Sequence, residues 1–510
     1  MKKTLFSLLA LVALHAQATV LVVKEYGVNS TYSTINAALT AAANNDTIVV
    51  YDKPSGQAWI ENLTIDKNLT FLHPTPGTRF KAPGEITVVP KAGMDLYFIG
   101  WDMNTKSITA TATGATATSA NRAKITVTDC TNLVNVDLNV DWIDARIFYN
   151  QTNMTGNITY RHGIAVANLL SNGGIRIEQE ATNAAENDSI IIVGNKAKWC
   201  YVDTREAGII ANNFLINTSN IQGLQPGGSA LVIKNHNTAA NAIFGIYNNS
   251  IQNSQGNSIT ASVSGTYCNV GINCQNWTVT TSYPHGLSSG NSVTMSGWSN
   301  GNANGTYSVN VTGPNTFTYG PTGSGNCNCT IGTVTGGSIT FNSGGTALLA
   351  GIAFTNSVLA NVQIINNLVY TTTSNLPNYG VYNVSTTGQP LISHNYINAV
   401  NAPSGNICTI SFNNELNYTS TTANAFGSID TWGRAASGNT NLINKGNYLG
   451  QYYDIDLTRN DIGTYGGPYS IDNYLTGGVS KGRGLFIDIP HQLTNLNQII
   501  NAKAAAGSKF

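Results

Sequence analysis

The chain has 510 residues, of which 10% are charged, against roughly 25% in an average soluble domain. Its 25 Lys and Arg balance 25 Asp and Glu, so there is no basic excess to neutralise nucleic-acid phosphates. The hydrophobic content of 42% excludes a disordered chain, which would combine low hydrophobicity with high net charge. These figures predict a large folded protein with a polar, weakly charged surface and no nucleic-acid partner.

The first 18 residues read as a secretory signal peptide. Lys2 and Lys3 precede an apolar run over 5–14, and Ala16-Gln17-Ala18 fits a cleavage site of the A-x-A type. The apolar run is shorter than the ~20 residues that span a bilayer, and no later stretch is longer. We therefore expect a secreted or cell-surface protein that begins at Thr19 after cleavage and has no transmembrane segment.

After the signal, the sequence predicts a short helix followed by short strands. The helix is expected over 35–43, with Ser33 or Thr34 as its N-cap, and strands are expected at 47–51, 63–65 and 69–72. The open end of a β-solenoid needs such an amphipathic helix to cover its first apolar layer. The apolar residues of the helix share one face: Ile35, Ala38, Leu39 and Ala42.

A pattern of apolar strand, asparagine and apolar strand recurs along the chain. It occurs at 210–216, 246–251, 364–369 and, more loosely, 392–397. In stacked repeats the asparagines would lie above one another, and their side-chain amides would form a hydrogen-bonded ladder. Asparagine is also common in ordinary turns, which is the alternative interpretation. The predicted ladder residues are Asn213, Asn249, Asn367 and Asn395.

Two features give the chain a resemblance to a known family. The helical entry segment and the N-N-x-[ILV] repeats are similar to right-handed parallel β-helix proteins of the pectin-lyase-like superfamily. Residues 453–468, which contain Arg459-Asn460-Asp461, resemble the closing segment of many secreted bacterial β-helix proteins. The resemblance implies an all-β fold, a right-handed parallel β-helix with an N-terminal capping helix. It implies no particular activity, because this superfamily includes lyases, hydrolases, epimerases, adhesins and tail spikes.

Residues 265–337 interrupt the repeats. Short alternating strands at 277–281, 292–296, 304–309 and 316–319, with Gly and Asn turns between them, predict a small antiparallel β-barrel. Its Pro284-His285-Gly286-Leu287 and Asn304-Gly305-Thr306-Tyr307 segments resemble a module of phage tail-associated proteins, where it is usually a spacer or a binding decoration.

The predicted domain organisation follows from these boundaries. A signal peptide (1–18) precedes the N-terminal part of the β-helix (19–264), the inserted barrel module (265–337), the C-terminal part of the β-helix (338–470) and a cap or tail (471–510). Within the tail, a strand is expected over 484–489 and a helix over 493–505.

Seven cysteines follow the signal peptide, which fits an oxidising compartment. The odd number leaves at least one thiol free or paired between molecules. A four-thiolate zinc site is less well supported than disulfides near the insert, because the C-x5-C and C-x-C spacings depart from those of zinc knuckles. The disulfide candidates are Cys268, Cys274, Cys327 and Cys329.

Ionisable residues concentrate in 137–206 and are scarce in 207–429, where only Lys234 and Glu415 carry a formal charge. We therefore expect no acid–base or metal chemistry in 207–429. Four histidines without a carboxylate nearby in sequence are interpreted as ladder or turn residues: His162, His236, His285 and His394.

Within 137–206, strand alternation places several charged side chains on outward faces. A substrate groove would use them in acid–base chemistry, whereas the competing interpretation is a solvated face with cross-strand ion pairs. No catalytic motif of the lyases or polygalacturonases of this fold matches. The weak catalytic candidates are Arg176, Glu178, Glu180, Asp203 and Arg205.

Three functions therefore stay open. We favour a non-catalytic scaffold, adhesin or filament subunit that binds a polysaccharide, another surface protein or further copies of itself, because a weakly charged surface promotes association. The first alternative is a polysaccharide lyase or glycoside hydrolase with its groove around 137–206. A lyase would use carboxylate-bound Ca²⁺, and otherwise no cofactor is expected. The second alternative is a glycan-binding protein without turnover.

Overall fold

A computed structural model gives the fold, and β-strands dominate it. This confirms the all-β prediction. No helix in the part of the chain that it describes is long and apolar enough to cross a membrane. The residues described are 18–26, 32–75, 78–81, 84–152, 156–179, 189–217, 229–237, 243–253, 258–259, 263–268, 277–281, 289–297, 304–313, 316–319, 331–335, 338–341, 350–354, 361–371, 379–383, 390–398, 404–405, 418–420, 425–454, 456–470, 483–488 and 503–507. The predicted signal peptide lies outside them except for Ala18.

Three long parallel sheets contain 12, 11 and 8 strands, and we call them the first, second and third sheets. From residue 158 onward, the chain contributes one strand to the second sheet, then one to the first and one to the third, and we call each such set a repeat. Strands that pair within a sheet therefore belong to successive repeats. This arrangement is compatible with a β-helix.

The strands of the first sheet are Val20–Val23, Asp46–Val50, Leu69–Leu72, Asp95–Ile99, Ala123–Thr128, Ile143–Phe148, Gly163–Val166, Ser189–Val193, Ala207–Ala211, Phe244–Tyr247, Val362–Ile365 and Leu391–Ser393. Those of the second sheet are Leu63–Ile65, Ile86–Val88, Ile108–Ala110, Val136–Leu138, Ile158–Tyr160, Gly174–Ile177, Trp199–Thr204, Leu231–Asn235, Ala350–Phe354, Tyr379–Asn383 and Ser404–Gly405. Those of the third sheet are Gln151–Thr152, Leu169–Leu170, Lys196–Ala197, Phe214–Asn217, Ser250–Asn253, Leu368–Tyr370, Tyr396–Asn398 and Tyr418–Ser420.

The hydrophobic core lies between the three sheets. In the early strands, buried and partly exposed side chains alternate. In Asp46–Val50, for example, the side chains of Ile48 and Val50 are fully buried, while Thr47 and Val49 are partly exposed. In Ser189–Val193 the alternation disappears and four consecutive apolar residues are fully buried. There the outward-facing Ile191 and Val193 belong to a second apolar cluster with Tyr452 and Tyr469. Both faces of the first sheet are therefore covered at this strand.

The predicted asparagines form one continuous column of hydrogen bonds. The backbone N and the Nδ2 of Asn213 donate to Oδ1 of Asn249 at 2.9 and 3.0 Å. Asn249 donates in the same way to Asn367 at 2.9 Å through both atoms, and Asn367 donates to Asn395 at 2.8 and 3.0 Å. Each asparagine directly precedes a strand of the third sheet. The column also extends to earlier repeats through Asn150, Asn168 and Asn195.

The predicted N-terminal helix is Ile35–Ala41, and Thr34 is its N-cap. The Oγ1 of Thr34 accepts a hydrogen bond from the backbone N of Ala37 at 3.1 Å. Glu61 accepts hydrogen bonds from two further N–H groups of the first turn, at 3.0 and 2.8 Å. At the other end Lys67 Nζ donates to the carbonyls of Leu39 and Ala42 at 2.9 and 2.8 Å. Both charges complement the helix dipole and fix the helix to the loops beside the strand Leu63–Ile65.

An antiparallel sheet of eight strands occupies the region predicted as an insert. Its pairing agrees with the predicted antiparallel topology, and the strands expected at 277–281, 292–296 and 316–319 are present with those bounds. Closure into a barrel stays a prediction, as do the domain boundaries. In order across the sheet, the strands are Ser258–Ile259, Ser338–Phe341, Ser292–Ser296, Gly305–Gly313, Thr316–Tyr319, Trp277–Thr281, Val263–Cys268 and Ile331–Thr335.

Short elements complete the description. Phe80–Lys81 pairs in parallel with Trp101–Asp102, and Gly450–Tyr452 forms a 3₁₀ turn. In the tail, Arg483–Asp488 agrees with the predicted strand and pairs antiparallel with Lys503–Gly507. The helix predicted over 493–505 is therefore wrong for its last three residues, whose backbone pairs with this strand instead. The rest of that predicted helix lies outside the described residues.

Replacing Lys67 with methionine tests how the helix is anchored. Lys67→Met keeps the aliphatic stem but removes a charged donor from two helix carbonyls. We expect it to lower the free energy of unfolding by about 1–2 kcal/mol in urea titrations. The control is Lys106→Met, which removes a surface ion pair at 3.9 Å and should cost at most about 0.5 kcal/mol. Equal losses in the two variants would contradict this anchoring.

Candidate functional site

Polar side chains collect on the outer face of the second sheet, around the strand Trp199–Thr204. Parallel pairing places Arg176 beside Tyr201, and Asp203 beside Lys234 in the next strand. Val202 and Ile177 are fully buried in the core. Because side chains alternate along a strand, their polar neighbours face outward. This cluster of Arg176, Glu178, Tyr201, Asp203, Lys234 and His236 is the candidate site.

Asp203 is the centre of the candidate site. Its Oδ2 accepts hydrogen bonds from Tyr201 Oη and Lys234 Nζ, both at 3.4 Å. Its Oδ1 lies 3.2 Å from Nε2 of His236. The Asp203 side chain is 15% exposed, so these contacts take place in a partly dehydrated environment, where charge-assisted bonds are stronger than in water.

Tyr201 lies beneath two cations. It is 3% exposed, and its ring centroid is 5.2 Å from the guanidinium carbon of Arg176 and 5.5 Å from Nζ of Lys234. Burial raises the pKa of Tyr201, although the nearby Lys234 acts in the opposite direction. Burial would lower the pKa of Lys234, but its contacts with Tyr201 and Asp203 outweigh burial and raise it. Lys234 is therefore a firmly charged ammonium at neutral pH.

The structure places three of the five sequence candidates in the candidate site. Arg176 and Glu178 form an ion pair with each other, and Asp203 is the centre described above. Arg205 follows the strand Trp199–Thr204 and donates to the side-chain oxygen of Gln179. Glu180 lies outside the described residues.

Two residues of the candidate site, Lys234 and His236, come from region 207–429, and both contact Asp203. The expectation of no acid–base or metal chemistry in that region stays a prediction. His236 has no carboxylate nearby in sequence, because its partner lies 33 positions earlier. The alternation of side chains along each strand could have indicated these contacts. It places Tyr201, Asp203 and Arg205 on one face of their strand, and Lys234 and His236 on one face of theirs.

A second ionisable pair is buried at the turns that connect strands of the second sheet with the following strands of the first sheet. His162 Nδ1 lies 2.9 Å from Oε1 of Glu206, and the two side chains are 5% and 11% exposed. Thr204 Oγ1 fixes the turn by accepting from the backbone N of Glu206 at 3.0 Å. Burial alone would lower the pKa of His162, but the bond to Glu206 and its charge raise it overall. His162 therefore has a carboxylate partner that lies 44 positions later in the sequence.

The remaining predicted histidines and cysteines lie away from the candidate site or outside the described residues. His394 bonds to Ser393 Oγ through Nδ1 at 2.7 Å, and His285 is outside the described residues. Burial raises the pKa of the Cys130 thiol to about 12 and raises that of Cys200, so both buried, free thiols are unreactive. Of the disulfide candidates, Cys268 ends the strand Val263–Cys268, and its side chain lies outside the described part, as do Cys274, Cys327 and Cys329.

The chemistry available at the candidate site is charge-based. In the described part of the chain, no group of three or more His, Cys, Asp or Glu side chains is arranged to hold a metal ion. The candidate site instead presents two cations, Arg176 and Lys234, and the imidazole of His236 around the carboxylate of Asp203. Such a surface can bind a polar or anionic ligand through charge-assisted hydrogen bonds.

Comparisons with protein-family models, with curated proteins and with solved structures found no match to this chain.

The buried pair predicts how stability depends on pH. The folded-state pKa of His162 is raised above its ordinary value of 6.5. The contribution of the protonated His162 to the free energy of unfolding is therefore complete below pH 6.5, and it is lost as the pH rises through the folded-state pKa. We expect the thermal midpoint at pH 6 to exceed that at pH 9.

Glu206→Gln isolates this effect. It should lower the free energy of unfolding at pH 6 by about 1.5–3 kcal/mol, the range for a hydrogen bond to a charged group. It should also flatten the pH dependence of the midpoint in calorimetry from pH 5.5 to 9. The control is Glu178→Gln on the outer face, which should keep the wild-type slope. An unchanged slope in Glu206→Gln would rule out this pair as its source.

Proposed function

We propose that the chain is a secreted or cell-surface right-handed parallel β-helix of the pectin-lyase-like type. In this proposal the helix Ile35–Ala41 caps the N-terminal end, and residues 265–337 form an inserted barrel module. The order of sheets within each repeat and the continuous asparagine column support this architecture. The signal peptide predicted at 1–18 supports the proposal of export.

We propose further that the protein is a non-catalytic scaffold, adhesin or filament subunit. The carrying observation is that several described carboxylates of the region 137–206 form ion pairs with nearby cations. Asp141 pairs with Arg161 at 2.6 Å, Asp144 pairs with Arg146 at 3.0 Å, and Asp203 pairs with Lys234 at 3.4 Å. Pairs such as Asp141–Arg161 link neighbouring repeats, so they act as cross-strand ties along the stack.

A glycosidase makes different demands on its carboxylates. It needs a carboxylic acid that gives up its proton to the leaving group, and a second carboxylate that acts as base or nucleophile. The Glu178 carboxylate is bonded to Arg176, and Asp203 contacts Lys234, His236 and Tyr201. Neither arrangement supplies a proton donor aimed at solvent. This favours the structural role over the hydrolase alternative.

The non-catalytic proposal predicts no turnover of polysaccharides. The purified secreted chain would be incubated with acidic and neutral polysaccharides, with and without Ca²⁺, while reducing ends and unsaturated uronate absorbance are followed. We expect no signal above a heat-denatured control. Turnover that disappears in Asp203→Asn would contradict the proposal and establish the enzyme alternative.

One observation favours glycan binding without turnover as the second candidate function. Two neighbouring strands supply the side chains of one half-buried patch. Tyr201 and Asp203 belong to the strand Trp199–Thr204, Lys234 belongs to Leu231–Asn235, and His236 directly follows it. Its cations suit a saccharide that carries carboxylates or sulfates. Neutral saccharides would depend on hydroxyl contacts with Asp203 and His236 alone.

Lys234→Met tests this second candidate. It removes the ammonium while keeping the apolar stem over Tyr201, so binding of an acidic oligosaccharide should weaken at least about tenfold. Isothermal titration with uronate and sulfated oligosaccharides would measure the change. Lys124→Met, an exposed lysine of the first sheet, is the matched control and should leave affinity unchanged. Equal affinities for wild type and Lys234→Met would exclude this patch as the binding site.

A further inference from the structure

Residues 425–470, which we call the clasp, pack against the outer side of the third sheet. Lys196 anchors one part of the clasp: its Nζ donates to the carbonyl of Thr431 at 2.9 Å and lies 4.3 Å from the ring centroid of Trp432. The apolar contact includes Phe426, Leu442 and Ile462 of the clasp and Phe214, Leu368, Tyr370 and Tyr396 of the sheet. The clasp thus buries a face of the third sheet that would otherwise expose aromatic residues.

A second set of asparagines, here called the outer asparagines, contacts the clasp. They are Asn212, Asn248 and Asn366, each directly before an asparagine of the inner column, with φ of 53°, 53° and 62°. In this left-handed region the side chain is directed away from the core, and asparagine tolerates it better than most residues. Each Asn-Asn doublet therefore contributes one side chain to the core and the other to the buried interface with the clasp.

The outer asparagines bond to separate parts of the clasp. Asn212 Nδ2 donates to the carbonyls of Thr464 and Gly466 at 2.9 and 2.6 Å. Asn248 Nδ2 donates to Oδ1 of Asn460 at 2.7 Å and to the carbonyl of Asp461 at 2.8 Å.

The third outer asparagine accepts rather than donates. Asn366 Oδ1 accepts from the backbone N of Asn447 at 2.7 Å, and its carbonyl accepts from Gly463 N at 2.9 Å.

The outer asparagines occupy three successive repeats that the clasp contacts. In three earlier repeats the same left-handed position holds Tyr149, Ala167 and Gly194, with φ of 53°, 60° and 66°, and in the next repeat it holds His394, with φ of 55°. These residues offer no side-chain amide. The turn geometry is therefore the same along the stack, while the identity of the outer residue varies, also in repeats that the clasp reaches through Lys196 and through Tyr448 beside His394.

The clasp contacts repeats on both sides of the insertion. The chain leaves the third sheet after Ser250–Asn253 and returns to the second sheet at Ala350–Phe354. Asn212 and Asn248 precede this excursion, whereas Asn366 follows it. Across the interruption, the strand Ser250–Asn253 still pairs in parallel with Leu368–Tyr370.

We propose that the clasp locks the stack across the insertion, holding the repeats before and after residues 254–349 together through the outer asparagines. A long excursion makes the closure of this one repeat entropically more costly than closure of its neighbours. The clasp offsets that cost by bridging the two sides directly.

Hydrogen exchange of the full chain tests the lock. The variant Asn248→Gly/Asn366→Gly keeps the left-handed turns, because glycine accepts positive φ without strain, but removes both amides. We expect backbone exchange at least about tenfold faster in 425–470 and in the strands Ser250–Asn253 and Leu368–Tyr370. Exchange in Ala123–Thr128, remote from the clasp, should stay as in the wild type. The control is Asn104→Gly, an exposed left-handed asparagine with φ of 45°.

Two outcomes would overturn the proposal. Faster exchange in the clasp alone, with the strands Ser250–Asn253 and Leu368–Tyr370 still protected, would show that the clasp covers the third sheet without holding the repeats together. Unchanged exchange in the clasp would show that the outer asparagines do not hold it. If the double variant fails to fold, Lys196→Met removes the anchor at Thr431 without altering a turn, and the same strands should show the same acceleration. Protection as in the wild type in Lys196→Met would equally overturn it.

Discussion

The two-residue turn between the first and third sheets is the constraint on which the rest of the structure depends. Its first residue has positive φ, and its second is an asparagine whose amide lies in the core. The amide bonds to both neighbouring repeats: Asn249 Nδ2 donates to Ile210 O in the preceding repeat and to Asn367 Oδ1 in the following one, and its Oδ1 accepts from the backbone N of Asn213. Since a buried amide without partners costs about 1–3 kcal/mol, each repeat fixes the position of the next.

This constraint explains why the surface of the protein can carry so little charge. Strand pairing and the inner column supply the hydrogen bonds of the core, and apolar side chains fill the space between the sheets. Gly380 shows how closely that space is filled, because a Cβ there would lie 2.0 Å from Cγ2 of Ile397, a buried residue of the core. The outer face is then free to vary, with ion pairs around Asp203 in the middle repeats and clasp contacts in the later ones.

Local sequence patterns predicted the elements whose structure is determined by residues close together in the sequence. The helix Ile35–Ala41 follows from apolar spacing and its cap at Thr34, and Leu63–Ile65 and Leu69–Leu72 follow from alternation. The Asn-Asn doublets indicated the stacking asparagines but not the separate role of the first member, because that role requires a segment more than 200 positions later. Residues 453–468 of the clasp indicated only a closing segment, without its contacts to the outer asparagines.

Contacts between repeats were the part that could not be predicted. Asp203 meets His236 and His162 meets Glu206 because loops of unequal length bring particular strands together, and the separations of 33 and 44 positions have no common period. The charged residues of 137–206 were therefore recognised as a cluster, while the partners supplied by Lys234 and His236 were missed. Strand alternation fixes the face of each residue, but only the register fixes its neighbour.

Equilibrium unfolding of Asn249→Ala is the most direct test of the inner asparagine column. The substitution removes the acceptor of Asn213 and the donor to Asn367 in the middle of the column. The free energy of unfolding should fall by about 2–4 kcal/mol in urea, relative to the exposed Asn121→Ala, which should change it by less than about 0.5 kcal/mol. A loss for Asn249→Ala as small as that of Asn121→Ala would contradict the view that this column holds the repeats in register.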